Sequence, residues 1–226
     1  MFETRVVAFL DVLGFKATVI EAEKDEEKQK DLKSLIEMLD TTVKALDETV
    51  HQNVSEELIP KHISISDSII LHAPLVPPEH CEPKDYDGLS TIVMRCIQLT
   101  HRFLDRGYVL RGGISVGNLW YTESNIVGTA YQNAFKAETL ADYPRIILDE
   151  YAAEIWNTLN YPEMCFTDDD DKLRVNGLYD AYIPNRNKPN GIGVTYGRYQ
   201  EIIDTNIVNI GDMNARTKWE KMDKYL

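Results

Sequence analysis

VVAFLDVLGF, residues 6–15, and HISISDSIILHAP, residues 62–74, decide how this chain folds. In the first, an apolar run ends in Asp11, and a glycine, Gly14, follows shortly after. That run predicts a buried strand over 5–15. In the second, Asp67 stands between two alternating segments rich in β-branched residues. An acid between two strand-like runs predicts a hairpin tip or bulge, with strands on both sides within 62–73.

The remaining elements follow outward from these two. Leu32, Leu35, Ile36, Leu39, Val43, Leu46 and Val50 recur at steps of three and four, which predicts one long helix over about 18–53. Residues 74–88, rich in proline and acids, read as a loop, and 89–106 as a second helix. VLRGGISVGNLWY, 109–121, reads as a strand, with a turn or bulge beginning at its second glycine. GTAYQNAFKAETL, 128–140, is helix-like; PRIILD, 144–149, returns as a strand; YAAEIWNTL, 151–159, is a short helix. KLRVNGLYDAYIP, 172–184, reads as a strand pair or a bent strand. GIGVTYG, 191–197, has no βαβ context and reads as a turn. The last 30 residues are polar and aromatic with weak periodicity, suited to packing on the core or on a partner. Hairpins among alternating helices and strands favour α+β, with a ferredoxin-like βαββαβ core and extra C-terminal elements. No internal repeat or linker divides the chain. The expectation is a single domain over 1–226, its core at about 5–185 and an extension at about 197–226.

Bulk properties bound the function. With 226 residues, 43% of them hydrophobic, the chain can bury one sizeable core. It has no apolar stretch long enough for a transmembrane helix, so no membrane partner is expected. The start, RVVAFLDV, lacks the features of a signal peptide. Cys81, Cys96 and Cys165 form neither a zinc spacing nor a disulfide framework, which fits the cytoplasm. A net charge of −13 argues against nucleic acid as a partner, because backbone binding needs a basic face. No glycine-rich loop ending in Lys-Ser/Thr is present, which argues against a P-loop NTPase.

Asp11 and Asp67, if brought onto adjacent strands, can hold two divalent metals, an arrangement suited to phosphoryl-transfer chemistry on a nucleotide. Other acids and histidines read blandly. Asp168–Asp171 lacks the spacing of a calcium loop and reads as solvated. His62 and His72 show no ligand pattern, and His72 reads as packing or surface. Gly112 and Gly113 read as strand-packing glycines.

In consistent order over about 5–185, five motifs resemble the catalytic domain of the class III nucleotide cyclases. Asp11 in FLDVLGF is similar to that family's first metal aspartate, followed by its turn and Phe15. Asp67 in ISDSI resembles the second metal aspartate. RGGISVG, 111–117, resembles the family's Arg-x-Gly-Ile-x-x-Gly strand. NIVGTAYQNAFKAE, 125–138, matches the segment carrying base-reading and transition-state residues, and LRVNGLYDAY matches the last core strand. Four positions depart from the purine cyclases: Ile63 replaces the base-reading Lys, Asn125 the base-reading Asp, Gln132 the transition-state Asn and Lys136 the transition-state Arg. The overall look is similar to the small bacterial pyrimidine cyclases of the Pycsar antiphage systems.

That resemblance implies cyclisation of UTP or CTP to a 3′,5′-cyclic monophosphate, a second messenger read by a separate effector protein. It implies two Mg²⁺ or Mn²⁺ ions held by Asp11 and Asp67, with the Val12 carbonyl as a further ligand. Lys136 and Gln132 become catalytic residues, and Asn125, Ile63 and Phe15 substrate-binding ones. Arg111 is open between a phosphate contact and a structural ion pair. The resemblance also implies a homodimer whose chains share each active site. One alternative is a degenerate cyclase-fold module that binds nucleotide or a partner and signals through its dimer. The other, a purine cyclase with an altered pocket, is disfavoured by Ile63 and Asn125.

Overall fold

Asp11 sits near the end of a strand buried on both faces. In the computed structural model, which describes residues 1–47, 53–79 and 85–225, β1 spans Glu3–Val12 and is buried without interruption from Arg5 to Leu10. A strand covered on both sides reads as continuous rather than alternating apolar sequence. Val6, Ala8, Leu10 and Val12 enter one hydrophobic cluster, while Val7 and Phe9 enter another across the sheet.

Its partners complete the expected core. β2 (Lys61–Ile65) and β3 (Ser68–Pro74) form a hairpin, and β4 (Leu110–Tyr121) lies on the other side of β1. The sheet order is β2-β3-β1-β4-β6-β8-β7, with the two-residue β5 (Ile126–Val127) paired to β4. The first four strands are antiparallel in the order a ferredoxin-like βαββαβ unit gives. β6 (Ile146–Leu148) joins β4 in parallel, and β8 (Leu173–Val175) and β7 (Cys165–Thr167) extend the edge. The class is therefore α+β, as the sequence pattern predicts.

Helices α2 (Glu26–Asp47) and α3 (Gly88–Leu104) bury their apolar faces against the even-numbered residues of β1. Asp87 caps α3 through the Ser90 amide at 2.8 Å, and the Ser90 hydroxyl accepts from the Asp87 amide at 3.0 Å. Helix α4 (Thr129–Leu140) covers the opposite face with Ala130, Ala134 and Ala137 turned inward. Helix α5 (Glu150–Trp156) starts at the capping carboxylate of Asp149. No helix among the described residues is long and apolar enough to cross a membrane.

Several local expectations need correction. The single helix over 18–53 is two, α1 (Phe15–Ala22) and α2, because the Asp25 side chain accepts the Glu27 amide at 2.8 Å and opens a new helix there. Val50 and Cys81 lie outside the described residues. No turn or bulge begins within 111–117; β4 runs through its glycines. The reason is close packing: a Cβ on Gly113 would lie 2.3 Å from the Ala134 carbonyl oxygen. GIGVTYG is not a turn but the first part of α6 (Gly191–Asn209). Gly191, Thr195, Tyr199 and Ile203 bury one stripe at four-residue steps, and that packing outweighs the glycine cost. Helix α7 (Met213–Asp223) follows, so the C-terminal residues pack on the core as a helical pair. KLRVNGLYDAYIP supplies only β8, and a 3₁₀ turn at Asp180–Tyr182 follows.

Candidate active site

The strand register puts the two predicted acids side by side. Asp11 pairs with Ser68 on β3 and with Arg111 on β4, so its side chain shares the α4 face with Val7 and Phe9. Asp67 precedes Ser68 in the two-residue turn between β2 and β3, where Ser66 adopts a left-handed φ of 57°. The Val12 amide donates to the Asp67 carbonyl at 3.2 Å, which ties the turn to the end of β1. Gly14, at φ 87°, then reverses the chain into α1, a conformation that suits a residue without Cβ.

A third carboxylate, absent from the sequence-based site, completes the cluster. Glu138 is buried on the inner face of α4, and its Oε1 lies 2.6 Å from Arg111 Nε. The same Nε donates to Asp11 Oδ2 at 3.2 Å. Arg111 thus forms an ion pair with two acids. The sequence signal that would have found Glu138 is the alanine spacing of α4, which places Glu138 beside the stripe of Ala130, Ala134 and Ala137.

Electrostatics follow from this crowding. Burial, then the neighbouring Asp67, pushes the Asp11 carboxyl up to about 6, and Arg111 acts against the shift. Glu138 is raised for the same reasons: burial first, opposed by Arg111 and increased by Asp67. A buried acid facing another acid is stabilised by a cation.

These groups fit divalent metal. Asp11 on β1 and Asp67 in the neighbouring β2–β3 turn present hard carboxylate oxygens, the donor type Mg²⁺ and Mn²⁺ take. Among the described residues no group of three or more His, Cys, Asp and Glu has a metal-holding arrangement, so of the side chains only Asp11 and Asp67 could offer oxygens to a cation here. Arg111 already supplies positive charge to Asp11.

Val12, next to Asp11, adjoins this centre through its backbone amide. Val12 has a buried side chain. Phe15 is half-buried at the start of α1 and packs on the main core, and Ile63 is half-buried on β2 opposite Ile70. Asn125 is exposed in the β4–β5 turn, where its Oδ1 accepts the Ile126 amide at 3.1 Å. Gln132 and Lys136 are exposed on α4 and, at 100° per residue, point away from the side that carries Glu138. Lys136 instead lines an outer groove with Asn133, Leu140 and Tyr151. His72 is buried, accepts from Arg5 Nε at 3.1 Å, and is pushed down to about 3 by burial and by Arg5.

No protein-family model matches the sequence, and no curated protein does. Solved structures do match. The adenylyl cyclase CyaB of P. aeruginosa aligns over 77% of this chain and 93% of its own, with a TM-score of 0.53 and 12% identity. The monomeric guanylyl cyclase domain of the RhoGC fusion protein of Blastocladiella emersonii aligns over 77% and 95%, with a TM-score of 0.54 and 16% identity. A class III adenylyl cyclase-like ATP-binding protein of Pseudomonas aeruginosa aligns over 76% of this chain and 38% of its own, with a TM-score of 0.51 and 12% identity. This chain has the class III cyclase fold. Within that cyclase fold, the Asp11–Asp67–Arg111–Glu138 cluster lies at one end of the central antiparallel strands.

Proposed function

We propose that this chain is a pyrimidine nucleotide cyclase, converting UTP or CTP to the 3′,5′-cyclic monophosphate and pyrophosphate. The observation that carries the reading is the meeting of Asp11, near the end of β1, and Asp67, in the turn before the adjacent β3, in a cyclase fold. In this reaction the ribose 3′-hydroxyl attacks the α-phosphorus and pyrophosphate leaves. Two Mg²⁺ or Mn²⁺ ions would acidify the hydroxyl and neutralise the triphosphate.

Every other role falls to the chain itself. Asp11 and Asp67 would hold the ions, with the Val12 carbonyl as a further oxygen donor. Arg111 keeps Asp11 paired while no cation is bound, and Glu138 gives it a second partner when Asp11 changes role. Lys136 would place a point charge on the α-phosphate or leaving oxygen, and Gln132 would orient the ribose. Asn125 spends its Oδ1 on the turn, which leaves its amide donor for a pyrimidine carbonyl. Ile63 and Phe15 would flank the base. Lys136 and Gln132 face away from Glu138 on their helix, which favours a homodimer in which a second copy brings them to the acids.

The product would serve as a second messenger for antiphage defence, read by a separate effector. Incubating the protein with ATP, GTP, CTP and UTP separately in Mn²⁺ tests the reading. A cyclic product from CTP or UTP alone supports it; cyclic AMP or GMP would replace it with a purine cyclase. Nucleotide binding without any product supports the degenerate module. That second reading is favoured by the four changed positions and by a structural neighbour described as cyclase-like and ATP-binding.

A further inference from the structure

Asp168, expected in a solvated loop, is instead buried, and its carboxylate accepts hydrogen bonds from Arg145, Arg174, Tyr143 and Tyr225. Charges there pair among themselves. Lys61, at the start of β2, is placed differently. It is exposed, and its side-chain polar contact among the described residues is with Tyr121, to whose hydroxyl its Nζ donates at 3.3 Å. In a chain of net charge −13, a lysine without an acid partner has its charge free for a ligand.

The strand register locates that charge. Lys61 pairs with His72, and His72 with Val7, so the three form one row on the α4 face of the sheet. Ile63, Ile70 and Phe9 form the next row. Two residues of strand separate the rows by about 7 Å, so Lys61 stands just beyond the apolar row whose Ile63 flanks the base. Tyr121 reaches the same place from the end of β4. Its ring centre lies 4.4 Å from that of His72 and 4.6 Å from Arg5 Cζ. Arg5 is itself held by Glu3 at 2.9 Å and by His72 at 3.1 Å. Buried groups thus set Tyr121, and Tyr121 sets the ammonium. Tyr121 also pairs with Ile126, the residue after Asn125. The Lys61–Tyr121 contact therefore joins the two elements assigned to the base, β2 with Ile63 and the β4–β5 turn with Asn125.

Hydrogen-bond chemistry then separates the two pyrimidines. An ammonium donates and cannot accept. One of its N–H groups goes to Tyr121, which leaves the others for a ligand. The Asn125 side chain also has only its donor left, because its Oδ1 takes the Ile126 amide. Donors on both elements suit a base edge that carries acceptors. Uracil has carbonyl oxygens at both C2 and C4, whereas cytosine has an amino group, itself a donor, at C4. An ammonium facing that amino group would leave both without an acceptor.

We infer that Lys61 selects uracil by donating to its O4, and that Tyr121 is the positioning residue that holds the ammonium there. This inference rests on the cyclase reading and narrows its substrate from two pyrimidine triphosphates to UTP.

The 3′-deoxy triphosphates of uridine and cytidine are the probes, because they lack the attacking hydroxyl and cannot be cyclised. Their binding to the whole chain is measured in Mn²⁺ by calorimetry. The parent should bind the uridine analogue at least about ten-fold more tightly. Lys61→Met should abolish that preference, Lys61→Arg, which keeps a donor-only cation, should retain it, and Tyr121→Phe should weaken it. Lys61 is exposed, so neither of its exchanges threatens the fold. The ratio of kcat/KM for UTP and CTP should move in the same order, through KM rather than kcat. Equal or tighter binding of the cytidine analogue by the parent, a preference that Lys61→Met leaves intact, or binding of neither analogue would overturn the inference. The two readings fail separately. Cyclic products from UTP and CTP in a ratio that Lys61→Met does not change would remove the inference alone. Uridine binding that depends on Lys61, with no product from any triphosphate, would uphold it and remove the cyclase.

Discussion

At the scale of the residue, Asp11 carries a measurable signature. Its carboxyl stands at about 6 against an ordinary value of 3.8. Between those values the folded chain holds a proton that the unfolded chain has released. The contribution of this group to the stability of the metal-free protein should therefore fall by up to ~3 kcal/mol as pH rises from about 4 to 6, whereas buried His72, pushed down to about 3, contributes in the opposite sense over the same range. Thermal melts in EDTA of the parent and of Asp11→Asn across that range isolate it, and a difference between the two that does not vary with pH would mean that Asp11 is not crowded. Asp67 is the second cause of the shift, so Asp67→Asn should lower the Asp11 value and raise the metal-free melting temperature at pH 7 by a few degrees, with 1 kcal/mol worth about 2–4 °C in a chain of this size. The same variant should lose Mn²⁺ binding and turnover. A variant that gains stability while losing activity distinguishes a functional acid pair from a structural one; one that melts below the parent would contradict the assignment.

At the scale of the element, β4 and α4 show what the sequence disclosed and what it hid. The strand and the helix are legible from apolar spacing. Their separation is not, because it depends on which glycine faces which alanine. Gly113→Ala should push α4 off β4 and cost about 1–3 kcal/mol, since the new methyl would meet the Ala134 carbonyl. Gly197→Ala is the counterpart. It lies within α6 with open space around it, and should stabilise the chain by about 0.5–1 kcal/mol. Denaturant titrations of both decide whether α6 is a helix in solution: a destabilising Gly197→Ala would restore the turn that GIGVTYG suggests. The misreading there has a physical cause. Glycine and β-branched content opposes helix formation locally, and the buried stripe through Thr195, Tyr199 and Ile203 comes into view only against α3, where Tyr199 meets His101. Glu138 was hidden similarly: an acid on a helix reads as solvent-facing until Arg111 is placed opposite. Asp11 and Asp67 were legible because an acid interrupting strand-like sequence has few local explanations.

At the scale of the whole molecule, the question is whether one chain suffices. The acids lie at the end of β1, whereas Lys136 projects from the outer side of α4 into a groove of its own. If a second copy joins these halves head to tail, each of two sites takes its acids from one chain and its lysine from the other. Asp67→Asn and Lys136→Ala chains should then complement each other. In a mixed dimer, the lysine-deficient chain supplies Asp67 and the aspartate-deficient chain supplies Lys136, so one site is intact and the other doubly impaired. Equal mixing makes half of the dimers mixed, each with one working site, so activity should recover to about a quarter of the parent's. Each variant alone should stay near background for Asp67→Asn and about 10–1000-fold down for Lys136→Ala. Turnover of a 1:1 mixture, measured after exchange of subunits, decides the matter. Activity that merely averages the two variants would mean that each chain works alone, and Lys136 would then return to being a surface lysine. The mixture experiment also separates the enzyme from the degenerate module, because only shared chemistry can be rebuilt from two inactive halves.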